Sequence, residues 1–342
     1  MIEVSGLSKR YGTHLAVQNV NFSISKGEVV GFLGPNGAGK STIMNILTGY
    51  LSMTQGRVTV DGFDINENPE DVKKRIGYLP EIPPLYIDMT VSEYLSFIYD
   101  LKKVKFPKKP HIDEVMRLVK IDNVKDRLIK NLSKGYRQRV GFAQALMGNP
   151  DVLILDEPTV GLDPKQIIEI RNLIAKLGKN HTIILSSHIL SEIQAVCKRV
   201  IIINKGEIIA DDTPDNLSAK LSSDRSVMAR IVCNEEDMLE ALSSVKGVAK
   251  VVSLGSKEKG SCDFVITPEE DTDIRAAVSR RISERGKTIL SFADSTLSLE
   301  QVFLRLTEAQ DNNEARRMLG FEVVEDNATE EVAEEIESEE AE

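Results

Sequence analysis

The chain has 342 residues, which is enough for two domains that each bury a hydrophobic core. Its composition, 41% hydrophobic and 28% charged, is that of a globular protein, and its apolar runs fall far short of the roughly 20 residues that span a bilayer. The net charge of −10 comes from residues 311–342, which hold 13 acidic and two basic side chains, and the nearly neutral remainder lacks the basic excess of a nucleic-acid-binding protein.

The N-terminus and the cysteines indicate the compartment. The first residues, MIEVSGLSKRYG, lack the basic and then apolar stretches of a signal peptide. The three cysteines lie far apart and form no CxxC pair, which disfavours a zinc site or a disulfide framework and fits a reducing compartment. We therefore expect a cytoplasmic protein. Residues 311–342 have too little apolar content to fold by themselves and are expected to form an acidic, disordered tail.

The chain begins with short strands. Residues 3–11, 14–24 and 27–34 are rich in β-branched and aromatic side chains and are bounded by turn residues, which predicts short strands. We expect an N-terminal antiparallel β-subdomain. The third of these strands leads into a glycine-rich loop and a helix predicted over 41–51. The segment GRVTVDGFDI then predicts a hairpin around its Asp-Gly turn.

The middle of the chain changes from strands to helices and back. A helical insert is predicted over about 84–147, where Tyr94, Leu95, Ile98 and Leu101 recur at the spacing of one helical face. Strand VLILDEP, helix 164–177, strand HTIILSS, helix HILSEIQAV and strand RVIIINKG follow. This alternation predicts an α/β fold with a mostly parallel core sheet and helices on both faces. We assign residues 1–220 to this domain.

A polar, serine-rich stretch near 217–226 predicts a domain boundary. Beyond it the expected order is strand, helix, strand, strand, helix, strand, which is the ferredoxin-like arrangement of a small α+β domain over 226–308. The predicted elements cover 226–233, 235–244, 248–254, 262–267, 271–285 and 287–293. An amphipathic helix over 297–309 closes the folded part. A small domain without chemical residues favours a dimerisation or regulatory role.

The strongest functional motif is GPNGAGKS, which matches the P-loop pattern G-x-x-x-x-G-K-[ST] between a strand and a helix. Its glycines allow backbone N–H groups to surround phosphate oxygens at a helix N-terminus, where the helix dipole favours anions. Lys40 is expected to reach the β- and γ-phosphates, and the Ser41 hydroxyl to bind Mg²⁺. The predicted nucleotide-binding residues here are Gly34, Pro35, Asn36, Gly37, Ala38, Gly39, Lys40, Ser41 and Thr42.

A pair of carboxylates supplies the second half of the predicted site. The apolar strand VLIL ends at Asp156 and Glu157, which a buried parallel strand would deliver beside the phosphates. Asp156 is expected to hold Mg²⁺ directly or through water, and Glu157 to polarise the attacking water. A nucleotide and Mg²⁺ are therefore expected to bind at this site.

The segment LSKGYRQR, just before that strand, resembles the signature of the ATP-binding-cassette (ABC) family, which is commonly LSGGQ followed by basic residues. A serine hydroxyl, a glycine backbone and a helix N-terminus can form a second anion site. The resemblance implies that this segment acts on the ATP of a partner subunit. Its residues are Leu132, Ser133, Lys134, Gly135 and Tyr136, with lysine and tyrosine in place of the common glycine and glutamine.

The resemblance extends over residues 1–217 and implies roles for four further residues. Tyr11 matches the aromatic residue that stacks on adenine, and Asp163, in GLDP, matches the loop that carries signals between the two sites. His188 matches the histidine that contacts the γ-phosphate. Glu81 stands where the family usually has glutamine, and its carboxylate could still bind Mg²⁺ through water. This Glu81 loop and the segment SLEQVFLRLT resemble the branch that serves ABC-2-type exporters.

Together these features predict the ATPase subunit of an ABC exporter, working as a homodimer or as a heterodimer with another ABC ATPase. Without a spanning segment, the chain would act on separate transmembrane permease subunits from the inner face of the cell membrane, and no nucleic acid is expected as a partner. Two alternatives remain at this point. One is a soluble ABC ATPase that acts on ribosomes or nucleic acid, and the other is the ATPase of an ABC importer.

Overall fold

The structure is a computed structural model that describes residues 1–221, 226–256, 258, 260–269, 272–294 and 303. The chain divides into two compact units, Met1–Ser218 and Ala219–Glu342. The predicted helix over 297–309, apart from Phe303, and the acidic segment 311–342 lie outside the described residues.

The first unit begins with strands and two helices. These elements are β1 Ile2–Tyr11, β2 His14–Ile24, β3 Val29–Leu33, α1 Lys40–Leu47, β4 Gln55–Val60, β5 Phe63–Asp64, α2 Pro69–Arg75 and β6 Ile76–Leu79. Three helices follow as α3 Val91–Leu101, α4 Lys108–Leu118 and α5 Lys134–Leu146. The unit continues with β7 Val152–Asp156, α6 Pro164–Leu177, β8 Thr182–Ser187, α7 Leu190–Val196, β9 Arg199–Asn204, β10 Glu207–Asp212 and α8 Pro214–Leu221.

Two sheets organise this unit. An antiparallel sheet has the order β2-β1-β4-β5, and its β4–β5 hairpin turns at Asp61 and Gly62, whose φ angles of 53° and 80° are those of the predicted Asp-Gly turn. The core sheet has the order β10-β9-β3-β8-β7-β6 and is parallel except for β10. Every residue of β7 and β8 is buried, as their apolar sequences predict. The predicted α/β class with an antiparallel subdomain is therefore confirmed.

Two details of the sequence prediction are wrong. Helix α1 ends at Leu47, because Gly49 adopts a φ of 69° and its N–H donates to the Ile46 carbonyl, which closes the helix before residue 51. In α3, Tyr94 and Ile98 are buried, whereas the Leu101 side chain is 63% exposed because it lies at the end of the helix.

The second unit has the predicted order of elements, β11 Val227–Val232, α9 Glu235–Ser243, β12 Val248–Ser253, β13 Ser261–Pro268, α10 Arg275–Glu284 and β14 Thr288–Asp294. Its sheet is antiparallel in the order β12-β13-β11-β14, which is the ferredoxin-like arrangement. Side chains of both helices, Leu242 and Val278 among them, pack with Phe264 of β13 in one core.

Candidate active site

The glycine-rich loop between β3 and α1 is shaped by close contacts with its neighbours. Gly34 has no room for a Cβ, which would overlap the Ile203 carbonyl of β9. Gly39 adopts a φ of 105°, and a Cβ there would lie 2.8 Å from the Ala16 carbonyl. Only glycine fits both positions, and the loop can therefore turn its backbone toward a phosphate at the start of α1.

A cavity of about 320 Å³ opens beside this loop. It brings together residues that are distant in sequence, since Tyr11, Glu81 and Glu157 all line it with the P-loop. The full set of lining residues is Tyr11, His14, Ala16, Asn36, Gly37, Gly39, Lys40, Ser41, Thr42, Glu81 and Glu157. Five residues that were predicted for the site do not line this cavity, namely Gly34, Pro35, Ala38, Asp156 and His188.

Lys40 lies at the centre of the charges in this cavity. Its ammonium donates to the carbonyls of Gly34 at 2.7 Å and Pro35 at 3.2 Å, and it lies 4.0 Å from a carboxylate oxygen of Glu157. Burial lowers the pKa of Lys40, while the nearby carboxylates, Glu157 first, act in the opposite direction. The carboxylates around the cavity thus stabilise the charged form of the buried Lys40.

Strand β7 delivers both predicted carboxylates, and β8 holds them. Asp156 is in register with Ser186, whose hydroxyl donates to the Asp156 carboxylate. The backbone N–H of Glu157 donates to the Ser186 carbonyl at 3.2 Å and hydroxyl at 3.1 Å. Glu157 adopts a φ of 47°, which is uncommon for a residue with a side chain. The sequence analysis missed Ser186, because its place opposite Asp156 depends on the register of β8 against β7.

His188 contacts the Glu157 carboxylate and does not line the cavity. Its Nδ1 lies 2.9 Å from a carboxylate oxygen of Glu157, and its side chain is 44% exposed. Glu192, on α7, is buried and accepts hydrogen bonds from Ser187 at 3.2 Å and from Thr159. Buried hydrogen bonds to Glu192 therefore link Thr159, just after β7, to Ser187 of β8, and His188 is the neighbour that contacts the Glu157 carboxylate.

The signature segment is placed away from the P-loop cavity. Ser133 is the N-cap of α5, where its hydroxyl accepts from the Tyr136 N–H at 3.4 Å. A Cβ at Gly135 would meet the end of the Gln166 side chain of α6, which would have to move aside. Gly135, Tyr136 and Asp163 line a second cavity of about 480 Å³, and in the described part of the chain no residue of Leu132–Tyr136 lines the first.

A glycine-rich loop at a helix N-terminus, a buried lysine and strand-end carboxylates on a parallel sheet define a P-loop nucleoside triphosphatase. A family model described as ABC transporter matches residues 17–160. The bacitracin transport ATP-binding protein BcrA of Bacillus licheniformis is 39% identical over 316 residues, 90% of this chain and 97% of that protein. The linearmycin resistance ATP-binding protein LnrL of Bacillus subtilis is 31% identical over 90% of this chain and 98% of its own length.

Solved structures of ATP-binding cassettes also match this chain. A dimeric ATP-binding cassette in a post-hydrolysis state, bound to ADP and phosphate, matches with a TM-score of 0.58 and 26% identity over 62% of this chain and 98% of its own. CbiO1 of Clostridium perfringens, part of the ABC transporter complex CbiONQ, matches with a TM-score of 0.58 and 28% identity over 71% of this chain and 94% of its own.

This chain belongs to the ABC transporter ATP-binding proteins. It is the ATP-binding subunit of a transporter, and its activity is ATP hydrolysis for transport. No helix in the described ranges is both long and apolar enough to cross a membrane.

Proposed function

We propose that this chain is the ATPase subunit of an ABC-2-type exporter, which works as a dimer and drives separate transmembrane subunits from the inner face of the cell membrane. The names of BcrA and LnrL, for bacitracin transport and linearmycin resistance, support export, because moving a toxic compound outward protects the cell. Their similarity covers 90% of this chain, so it includes the second unit. Two compact units support the proposed domains, 1–220 and 226–308.

One observation carries the proposed dimer. Lys40 and Glu157 line one cavity, whereas Gly135 and Asp163 line another in the same unit. If a signature acts on bound ATP, it must be the signature of a second copy or of another ABC ATPase. Two-fold symmetry would then create two composite sites, each with the P-loop of one chain and Ser133–Tyr136 of the other. The similarity to a dimeric cassette bound to ADP and phosphate supports this arrangement.

The proposed chemistry uses Glu157 as the general base. Its carboxylate takes a proton from water as the water oxygen attacks the γ-phosphorus, and the bond from that phosphorus to the bridging oxygen breaks to give ADP and phosphate. His188 positions this carboxylate through the 2.9 Å contact. Lys40 stabilises the negative charge on the phosphate oxygens. To do so, its ammonium would give up its hydrogen bonds to two backbone carbonyls and contact the phosphate oxygens instead.

The residues around the cavity fit a magnesium ion. Ser41 and Glu81 line the cavity, and the buried Asp156 carboxylate is held nearby on β7, so the available donors are the oxygen atoms that Mg²⁺ prefers. Among the described residues, no three acidic, histidine or cysteine side chains form a metal group by themselves, which suits an ion held largely by phosphate oxygens. When bound, Mg²⁺ would neutralise charge on the β- and γ-phosphates.

The dimer is tested by measuring the ATPase rate per chain against protein concentration. We expect the rate per chain to rise with concentration, because only the dimer has complete sites. Glu157→Gln should abolish turnover and trap an ATP-bound dimer, detected by light scattering during size-exclusion chromatography. Glu70→Gln, which changes an exposed carboxylate on α2, is the matched control and should leave both measurements unchanged. A rate per chain that is independent of concentration and insensitive to Glu157→Gln would contradict the proposal.

The membrane partner is tested separately. The tagged full chain should be recovered from detergent-solubilised membranes together with a polypeptide that contains apolar spans of roughly 20 residues each. Recovery with ribosomes in place of membrane proteins would refute the exporter assignment while leaving the ATPase chemistry intact.

A further inference from the structure

The tip of the β1–β2 hairpin holds two rings at one wall of the nucleotide cavity. Tyr11 and His14 are partners in the antiparallel register, on either side of the turn Gly12–Thr13. Directly opposed residues of an antiparallel pair project to the same face of the sheet, so both side chains lie on one face of the hairpin. Both residues line the 320 Å³ cavity together with the P-loop. Of these two residues, the resemblance to the ABC family implies a role for Tyr11 alone.

Lys9 covers one face of the tyrosine ring. Its ammonium lies 5.3 Å from the Tyr11 ring centroid and donates to the Ser52 carbonyl at 2.6 Å, which fixes its position. Within the described part of the chain, Lys9 does not line the cavity, so the ring face on the cavity side is available to a ligand. A cation over one face draws π-electron density toward itself. The opposite face therefore favours stacking with an electron-rich base.

We propose that Tyr11 and His14 form a single surface for the nucleoside end of ATP, and that His14 makes the site selective for purines. The two fused rings of a purine are wide enough to cover both side chains, whereas the single ring of a pyrimidine covers only Tyr11. Phosphate groups are held elsewhere, by the P-loop backbone and Lys40. The contribution of His14 to affinity is therefore separable from phosphate binding. This inference rests on the proposed nucleotide site and deepens it.

The test compares four ligands by titration calorimetry on the full chain, namely ATP, GTP, CTP and inorganic tripolyphosphate. Base–aromatic stacking is worth about 1 kcal/mol or more per base, which corresponds to roughly a five-fold change in affinity. His14→Ala should therefore weaken ATP and GTP binding by about five-fold or more and leave CTP and tripolyphosphate unchanged. His14→Phe, which keeps a ring, should retain the affinity for ATP. Thr13→Ala, an exposed change in the same turn, is the matched control and should alter none of the four.

A further variant separates failure of this inference from failure of the site. Lys40→Ala should weaken all four ligands, tripolyphosphate included, and normal binding by this variant would overturn the nucleotide site itself. If Lys40→Ala behaves as expected, three outcomes overturn the role of His14 alone. They are unchanged ATP binding by His14→Ala, an equal loss for CTP and tripolyphosphate, or a loss in His14→Phe as large as in His14→Ala.

Discussion

Replacing Ser186 with alanine should uncouple the two carboxylates at the end of β7. The Ser186 hydroxyl donates to Asp156 and lies 3.1 Å from the backbone nitrogen of Glu157, which donates to it. The residue is completely buried. Because water does not reach a completely buried position, nothing replaces the lost donor to Asp156. An unsatisfied buried group of this kind costs about 1–3 kcal/mol.

We expect that cost to appear in both stability and turnover. The free energy of unfolding in urea should fall by about 1–3 kcal/mol. The ATPase kcat at saturating ATP should fall by roughly five-fold or more, because each 1.4 kcal/mol lost from the transition state lowers a rate about ten-fold. Phosphate release measures the rate, and circular dichroism follows the unfolding.

Ser187→Ala provides the matched control for this experiment. Ser187 is equally buried and adjacent on β8, but its hydroxyl contacts Glu192 and the Ile189 N–H, not the β7 carboxylates. It should lose stability to a similar extent while keeping a nearly normal kcat. A normal kcat in Ser186→Ala, or an equal loss of kcat in Ser187→Ala, would refute the reasoning.

Three further predictions concern other parts of the first unit. Gly161→Ala places a methyl group against the Lys134 ammonium at a φ of 70°, so it should lower the melting temperature, and by less in a Lys134→Ala background. Burial lowers the pKa of Lys102 from its ordinary 10.5 to about 8. Between these two values the chain takes up a proton when it unfolds. The free energy of unfolding of wild type minus that of Lys102→Met, measured in urea titrations, should therefore rise between pH 8 and 10 by up to about 1.4 kcal/mol per pH unit. A difference that does not change with pH would contradict this. Chelation with EDTA should abolish ATP hydrolysis, and added Mg²⁺ should restore it; undiminished hydrolysis in EDTA would remove the proposed role of Ser41.

Features with a local cause were predictable from the sequence. The P-loop needs its glycines within eight consecutive residues, and the strand before Asp156 is apolar because both of its faces are covered. The alternation of strands and helices along the chain likewise predicted the parallel sheet. The end of α1 was missed because glycine is tolerated in either conformation, and only the fold shows that Gly49 adopts a positive φ.

Features that depend on neighbouring strands were not predictable in this way. Ser186 reaches Asp156 only because β7 and β8 pair in one parallel register. His14 lies opposite Tyr11 only because the turn between β1 and β2 contains two residues. The spacing of Leu101 placed it on the buried face of α3, yet as the last residue of the helix it is largely exposed.

If the signature of one chain completes the ATP site of its partner, as proposed above, the separation of the two cavities has a genetic consequence. A chain with Lys40→Ala and a chain with Ser133→Ala would each form homodimers in which both composite sites are damaged. Mixed together, they would form a heterodimer in which one site combines the intact P-loop of the second chain with the intact signature of the first. Two inactive alleles could then complement each other in one cell, as alleles of a gene for a monomeric enzyme do not.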